Sequence, residues 1–454
     1  MSLLIVHRER LDPQSLQAQF HSTNISLASS IFSTAILVTA EEFRVSSEVM
    51  ILGVALYVLG FAFGPLVWGP FSEAYGRTRP LFAGMAVFII LQIPLGVAQN
   101  LETIFVCRFL AGVAGSSPLA IVAGMYVDFM EPVERGMATA AYAGAAFAGP
   151  VAGPIIGSFI TQSHLGWRWT AWITMIMAAL FTFLAWITTP ETFEPTLLKR
   201  KAERLRHERK DWSLHAKSEE QKLDMRALLT KYLTKPMYMI MMEPILIVMT
   251  VYISICYGIL YLTFEAYPLS FELERGWSPT LASLPFIGLF IGMLLACIIL
   301  AVDSKIRYGK HLSQTKKLNP EDRVPPMIVG SFVLPAGLFW FAWTSDPSTP
   351  WPAQVVAGIP IGCGIILVFM GGITYIVDVY LLNAASAVAI NTFIRSAIAA
   401  GFPMFATYMY RGLGVDWATS LLGFVCIALI PFPIIFWCYG KMIRGFSRYA
   451  YNIG

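Results

Sequence analysis

The sequence predicts an all-α membrane protein built from two bundles of six spanning helices. Of its 454 residues, 56% are apolar and 13% are charged, whereas a soluble domain carries about a quarter charged residues. The apolar residues are gathered into runs long enough to cross a bilayer. Thirty of the 32 basic residues lie between these runs, and 26 of them fall in segments assigned to one side of the membrane.

Twelve runs are counted as spans because a bilayer core takes about 20 apolar residues per helix. Eleven are clear, but the first has only sixteen uncharged residues and follows a polar stretch that includes His21 and Asn24. This first span is therefore expected to be short. The predicted spans are 25–40, 49–67, 81–98, 103–127, 137–160 and 169–189, then 238–264, 281–302, 326–344, 353–377, 387–410 and 417–439.

A polar stretch between the sixth and seventh spans divides the chain into two halves. The expected regions are a short N-terminal segment (1–24), an N-terminal six-helix bundle (25–189), a central loop (190–237), a C-terminal six-helix bundle (238–439) and a tail (440–454). Within the central loop, Leu197, Leu198 and Leu205 recur at helical spacing among basic residues. This pattern favours a basic amphipathic helix on an anionic membrane surface, and a solvated loop is the alternative.

The basic residues predict the orientation. Twenty-six of the 32 Lys and Arg residues fall in the termini and in the loops on the same side as the termini, and four fall in the opposite loops. Because basic loops are retained in the cytosol, both termini and the central loop are predicted to be cytosolic. The plasma membrane is the expected location, and the vacuole is the alternative.

Several classes of function are excluded. A net charge of +4 is too small to indicate nucleic-acid binding. All six histidines lie outside the predicted spans, and there is neither an HExxH helix nor a phosphate-binding loop. We therefore expect no enzyme, no cofactor and no metal site.

Three motifs lie in the first half. The loop after the second span reads Gly69-Pro-Phe-Ser-Glu73-Ala-Tyr-Gly76-Arg77-Thr-Arg79. In the fourth span, Arg108 is followed by Gly112, which begins a stripe of small residues that permits close helix packing. The fifth span carries Gly149, Pro150, Gly153, Pro154 and Gly157, so that three glycines share one face and two prolines remove backbone donors.

These motifs resemble motifs A, B and C of the major facilitator superfamily, in its drug:proton antiporter branch with twelve spans. Glu73 stands where motif A usually has Asp. The resemblance extends from about Ser29 to Ala450 and is closest to the fungal exporters of drugs, toxins, secondary metabolites or polyamines. It implies two six-helix bundles related by a pseudo-two-fold axis along the membrane normal. It also implies a cytosolic charge cluster of Glu73, Arg77, Asp128 and Arg135.

Charged residues at membrane depth are costly and are therefore candidates for function. Arg108 is a candidate for coupling, with a structural arginine bound to carbonyl groups as the alternative. Asp128 and Asp378 occupy equivalent positions at the ends of the fourth and tenth spans. Glu243 and Glu265, near opposite ends of the seventh span, are the candidates for a proton site, and both could equally be interfacial.

The candidate substrate contacts are Tyr257 and Tyr261 in the seventh span and Asn391 and Arg395 in the eleventh. Aromatic faces favour flat organic compounds and cations. The expected function is export of a small organic substrate in exchange for protons by a monomer, through alternating access. The alternatives are a proton symporter or facilitator that imports a solute, and a transport-defective relative with a shortened first span.

Overall fold

The computed structural model describes residues 11–130, 132–216, 219, 230–315 and 319–450, and every regular element among them is helical. The predicted fold class is therefore confirmed. In the first half the helices are Leu11–Ser30, Ile36–Phe43, Ser47–Tyr75, Thr78–Gly96, Leu101–Gly115, Ser117–Phe129, Pro132–Gln162 and Arg168–Thr188, with a 3-10 turn at Ile31–Ala35. The helix Glu194–Arg209 follows them in the linker between the halves.

The second half repeats this arrangement with more short helices between the spans. Its helices are Lys235–Met242, Pro244–Pro268, Pro279–Ser283, Phe286–Asp303, Gly309–Thr315, Val324–Trp343, Trp351–Val379, Ala384–Leu429 and Pro431–Gly445. Three π-helical turns extend helices at Thr230–Thr234, Leu269–Glu274 and Ser304–Tyr308. Two 3-10 turns lie at Pro320–Arg323 and Leu381–Asn383.

Eleven segments of the described residues are long and apolar enough to cross a membrane, and the last of them is a hairpin. Ala384–Gly445 has 62 residues, about three times what one crossing needs. Gly414 inside it has a non-helical backbone, with φ 78° and ψ 163°. The Nδ2 atom of Asn383 donates to the carbonyl oxygen of Tyr449 at 3.1 Å, so the two ends of the segment meet. The described chain therefore makes twelve crossings.

We number these crossings as spans 1 to 12. They are Gln19–Phe43, Ser47–Tyr75, Thr78–Gly96, Leu101–Tyr126, Gly136–Gln162, Arg168–Thr188, Pro244–Glu274, Pro279–His311, Pro320–Trp343, Trp351–Val379, and the two arms of the hairpin, 384–413 and 415–445. We call the end of the bundle that carries the linker helix the linker end, and the opposite end the far end.

Span 1 differs from its expected length. It has 25 residues rather than sixteen, and its first turns hold the buried polar residues His21, Ser22 and Asn24. These turns pack against spans 5 and 6, so their polar side chains are covered by protein. The count of apolar residues underestimated the length of span 1, because such a count treats every residue of a span as if it faced lipid. The expectation that every histidine lies outside the spans is wrong for His21.

Close helix crossings recur at equivalent places in the two halves. A Cβ atom added to Gly112 in span 4 would lie 2.2 Å from the carbonyl oxygen of Tyr57 in span 2. A Cβ atom added to Gly362 in span 10 would lie 2.2 Å from the carbonyl oxygen of Leu289 in span 8. The second and fourth spans of each half therefore touch backbone to backbone, which requires glycine.

The two halves meet mainly along four spans. Span 2 packs against span 11, where the rings of Phe63 and Phe393 are 5.5 Å apart, and span 5 packs against span 8. Phe147 of span 5 also reaches the ring of Phe369 in span 10 at 4.7 Å. The candidate functional residues lie along this interface and at its two ends.

Candidate functional site

Motif A forms an ion pair at the linker end. Gly76 has φ 90° and ends span 2, so Arg77 begins the turn into span 3. The Nε atom of Arg77 donates to Asp128 Oδ2 at 3.0 Å, and its Nη1 atom donates to Ser72 Oγ at 3.1 Å. Burial raises the pKa of Asp128 above its ordinary value, and the neighbouring Arg77 opposes that rise. The pair joins the ends of spans 2, 3 and 4.

The other members of the motif surround this pair. Gly69 accepts a hydrogen bond from Ser72 Oγ at 2.9 Å, Glu73 lies half-buried in the last turns of span 2, and Arg79 is exposed. The side chain of Arg135 lies outside the part of the chain that the structure describes.

Glu191 completes the cluster at the linker end, and sequence reasoning gave it no role. Its Oε1 atom accepts from the backbone N–H of Arg77 at 2.8 Å, and its Oε2 atom accepts from Thr78 Oγ1 at 2.8 Å. The backbone N–H groups of Thr192 and Phe193 also donate to it, each at 3.1 Å. Burial alone would raise the pKa of this carboxyl group, but the hydrogen bonds outweigh it and the pKa lies below its usual value. Glu191 therefore fastens the linker to the motif A turn.

Glu191→Gln should lower the free energy of unfolding by about 1–3 kcal/mol at neutral pH, because the three N–H donors named above and a hydroxyl lose a charged acceptor. The folded-state pKa is depressed, so this stabilisation is present above the unfolded value of about 4.3 and is lost as the pH falls through the folded-state value. Thermal unfolding in detergent should show a gap between the two proteins at pH 7 that shrinks below about pH 4. Glu194→Gln, an exposed change three residues away, is the control. An undiminished gap in acid would contradict the assignment.

The second half holds an equivalent pair. Arg323 Nε donates to Asp378 Oδ2 at 3.0 Å, and the two side chains are 8% and 3% exposed. Arg323 begins span 9 and Asp378 ends span 10, as Arg77 begins span 3 and Asp128 follows span 4. The structure thus brings Asp128 and Asp378 to matching positions, each beside an arginine. Arg77 was identified from the sequence through motif A, whereas Arg323 was given no role.

Glu243 lies at the linker end, just before span 7, and is completely buried. It accepts hydrogen bonds from Tyr380 Oη at 3.0 Å and from the backbone N–H groups of Arg448 and Tyr449 at 2.9 and 3.1 Å. Ser447 Oγ donates to it as well. All of these partners are fixed parts of the second half, so the carboxylate ties the C-terminal residues to the start of span 7.

Arg108 is buried inside the first half. Its Nε atom donates to the carbonyl oxygen of Gly53 at 2.9 Å, and its Nη1 and Nη2 atoms donate to those of Ala28 and Ser29 at 2.7 and 3.0 Å. The guanidinium also stacks between the rings of Phe32 and Tyr57, 4.9 and 4.5 Å from their centroids. One side chain of span 4 therefore holds spans 1 and 2, which is the carbonyl-bound geometry given above as the alternative.

The glycines of motif C seat span 1 on span 5. A Cβ atom added to Gly149 would lie 2.4 Å from the carbonyl oxygen of Thr23, and one added to Gly157 would lie 2.8 Å from that of Ile31. A Cβ atom added to Gly153 would clash with the hydroxyl group of Ser30. Pro150 and Pro154 lie on the same helix, Pro132–Gln162. The motif thus fixes how closely these two spans approach.

The candidate substrate residues come together between the halves. Tyr261 Oη donates to Ser29 Oγ of span 1 at 3.1 Å, and it lies 3.4 Å from Tyr257 Oη. The Arg395 guanidinium stacks on the rings of Tyr257 and Phe369, at 4.7 and 4.6 Å from their centroids. We call Tyr257, Tyr261, Phe369, Arg395 and Phe147 the central cluster.

Asn391 lies one helical turn before Arg395 and makes a different contact. Its Nδ2 atom donates to Thr250 Oγ1 of span 7 at 3.0 Å, and its buried Oδ1 atom has no hydrogen-bond partner among the described residues. The Asn391 side chain therefore joins spans 7 and 11 through its NH₂ group alone.

A cavity of about 190 Å³ opens between the halves near the far end. Residues of spans 1, 2, 5, 7, 8 and 11 line it. Glu265 lies in its wall with Arg411, and Ser158 and Ser283 join the two halves beside it through a 2.8 Å hydroxyl contact. Among the described residues, the Glu265 carboxyl group makes no hydrogen bond or ion pair. Glu265 and Glu243 thus lie at opposite ends of span 7, the first in the wall of a cavity and the second among hydrogen-bond donors.

Comparisons with known proteins identify the family. A sequence profile of the Major Facilitator Superfamily matches residues 22–403. The citrinin biosynthesis cluster MFS transporter of Monascus ruber is 53% identical over 94% of this chain and 85% of its own length. The ascochitine biosynthesis cluster MFS transporter of Didymella fabae is 46% identical over 94% and 83%, and the cercosporin MFS transporter of Cercospora nicotianae is 44% identical over 94% and 84%.

Among solved structures, a D-xylose–proton symporter superposes with a TM-score of 0.65 at 15% sequence identity, covering 93% of this chain and 97% of the symporter. Identity this low supports the shared fold alone. The resemblance drawn from motifs A, B and C is confirmed by the profile and by the relatives. The chain belongs to the major facilitator superfamily and is a multi-span membrane transporter of small molecules rather than an enzyme.

Proposed function

We propose that the protein exports a small organic metabolite from the cytosol across the plasma membrane, as a monomer, by proton antiport with alternating access. The observation that carries the proposal is the asymmetry of the interface between the halves. At the far end the halves enclose a cavity, whereas at the level of the central cluster their aromatic rings are in contact. A carrier that opens to one side at a time needs such a difference in separation along the interface between its halves.

The orientation follows from the charge distribution. The linker end carries the basic linker helix, the start of span 1 and the end of span 12, and basic segments favour the cytosolic side. The cavity with Glu265 then faces the exterior, where protons would enter. In this scheme the Arg77–Asp128 and Arg323–Asp378 pairs brace the cytosolic end of each half while the exterior side is open.

The substrate class is proposed from two sources. The central cluster offers aromatic faces and few fixed polar groups, which suits flat organic molecules. Three of the relatives, each covering 94% of this chain, are named for citrinin, ascochitine and cercosporin clusters or compounds. We therefore propose a secondary metabolite as the cargo.

Inside-out plasma-membrane vesicles from a host that lacks its own exporters test the proposal. Vesicles that are acidic inside should accumulate a compound of the citrinin, ascochitine or cercosporin type, and a protonophore should abolish the accumulation. Vesicles from the untransformed host are the control. Accumulation only when the acid side is outside would instead identify a symporter, and no transport in either direction would identify a transport-defective relative.

A further inference from the structure

Arg395 is half-buried, and its contacts differ from those of the buried arginines of the structure. Arg108 binds three carbonyl oxygens, Arg323 binds Asp378, and Arg444 binds Glu321 at 3.0 Å. The guanidinium of Arg395 has no hydrogen bond and no ion pair among the described residues. Its Nε atom is buried without a partner, and its contacts are the two ring faces of Tyr257 and Phe369.

A cation in this position is costly unless something supplies an anion. A guanidinium at membrane depth loses its hydration, and stacking on aromatic rings recovers only part of that loss. Arginine presents a planar fork of N–H groups that matches a carboxylate in two parallel hydrogen bonds. The unfilled hydrogen-bonding capacity of Arg395 therefore matches an anionic group of a ligand.

The surroundings of Arg395 favour an aromatic anion. Phe147 belongs to the first half, and its ring lies 4.7 Å from Phe369 and 5.9 Å from Tyr257. Separation of the halves at this level, as alternating access requires, would remove this ring from the cluster and make room for a flat ligand. Arg108, which stacks on the ring of Tyr57, adds a second positive charge in the first half. The central cluster itself contains no acidic residue. A cationic cargo such as a polyamine would meet two positive charges here.

We propose that Arg395 binds the carboxylate of an aromatic organic acid, and that organic anions are the transported class. The inference rests on the proposed export function and narrows its substrate. Tyr257 and Phe369 hold the guanidinium in place and stack with the aromatic part of the substrate. Tyr261 of the central cluster donates a hydrogen bond to Ser29 of span 1, so the cluster also carries hydroxyl groups.

Three probes with one aromatic skeleton test the inference: pyrenebutanoate, its methyl ester, and pyrenebutyl-trimethylammonium. Their uptake into acid-loaded inside-out vesicles is compared, together with the thermal stabilisation that each gives to the purified protein. The wild-type protein should favour the carboxylate by about tenfold or more, as expected for a charge-assisted hydrogen bond. Arg395→Gln should abolish this preference, and Arg395→Lys should keep part of it because the charge remains.

Arg307→Gln, the same charge change in an ion pair with Asp303 at the linker end, should leave the preference unchanged. Because each ratio is measured within one preparation, differences in expression cancel. If Arg395→Gln does not reach the membrane, the wild-type ratio and the lysine variant still decide the matter.

The outcomes separate the two proposals. Transport without preference for the carboxylate, or a preference that survives in Arg395→Gln, would overturn the inference and leave export standing. Selective binding of the carboxylate without transport would support the carboxylate site at Arg395 and overturn the export function. Failure of every probe both to bind and to move would overturn both.

Discussion

Arg108→Ala should destabilise the protein by about 3 kcal/mol or more, because three buried carbonyl oxygens lose their donor and a large buried side chain is removed. The carbonyls belong to Gly53, Ala28 and Ser29, so the loss loosens span 4 from both span 1 and span 2. Arg108→Lys should recover little, since an ammonium group cannot reach three acceptors on two helices in the geometry of the guanidinium fork. Thermal unfolding in detergent and abundance in the membrane measure both variants.

Arg395→Ala is the matched control, because it removes the other arginine of the membrane interior. Arg395 has no oxygen partner among the described residues, so its removal should leave the unfolding temperature nearly unchanged. The difference in unfolding temperature between the two variants distinguishes a structural arginine from one that binds a ligand. Equal unfolding temperatures for Arg108→Ala and the wild-type protein, together with lost transport, would instead assign Arg108 to coupling.

Glu265→Gln should abolish transport against a concentration gradient and preserve the exchange of substrate across the membrane. Glutamine has nearly the shape of glutamate but cannot take up and release a proton. Glu265 lies in the wall of the cavity between the halves, near Arg411 but without an ion pair among the described residues. The variant should therefore fold normally and run as an uncoupled carrier. Proton uptake into substrate-loaded proteoliposomes, followed with a trapped pH dye, should fall to the level of empty liposomes.

Glu272→Gln provides the comparison, since Glu272 lines the same cavity two helical turns nearer the far end. It should keep both proton uptake and concentrative transport. If Glu265→Gln still concentrates the substrate, the proton carrier lies elsewhere and the proposed role of Glu265 fails.

The sequence predicted those features that repeat a local pattern. The apolar runs located the spans, and the glycines of motif C marked the face on which span 1 rests. The start of span 1 was missed because its polar turns are shielded by other helices, which a hydropathy count along one segment does not detect. The hairpin at Gly414 was predicted correctly as two spans, since a polar segment interrupts the two apolar runs.

The side-chain partners could not be predicted in the same way. Arg108 binds backbone carbonyl oxygens 55 to 80 residues away, and a carbonyl group has no sequence signature. Glu191 binds backbone N–H groups 114 residues earlier for the same reason. Glu243 and Glu265 look alike in the sequence, since each is an acidic residue at one end of an apolar run. Only the fold distinguishes the first, surrounded by donors, from the second, which faces a cavity.

The contact between Glu243 and residues 447–449 has a practical consequence for protein engineering. Three of the four donors to this carboxylate come from the last turn of the described chain. A version shortened to residue 446 would enclose a negative charge with one phenol as its sole remaining donor among the described residues, and its yield should fall accordingly. Fluorescent fusions and affinity tags are therefore best joined after Ala450.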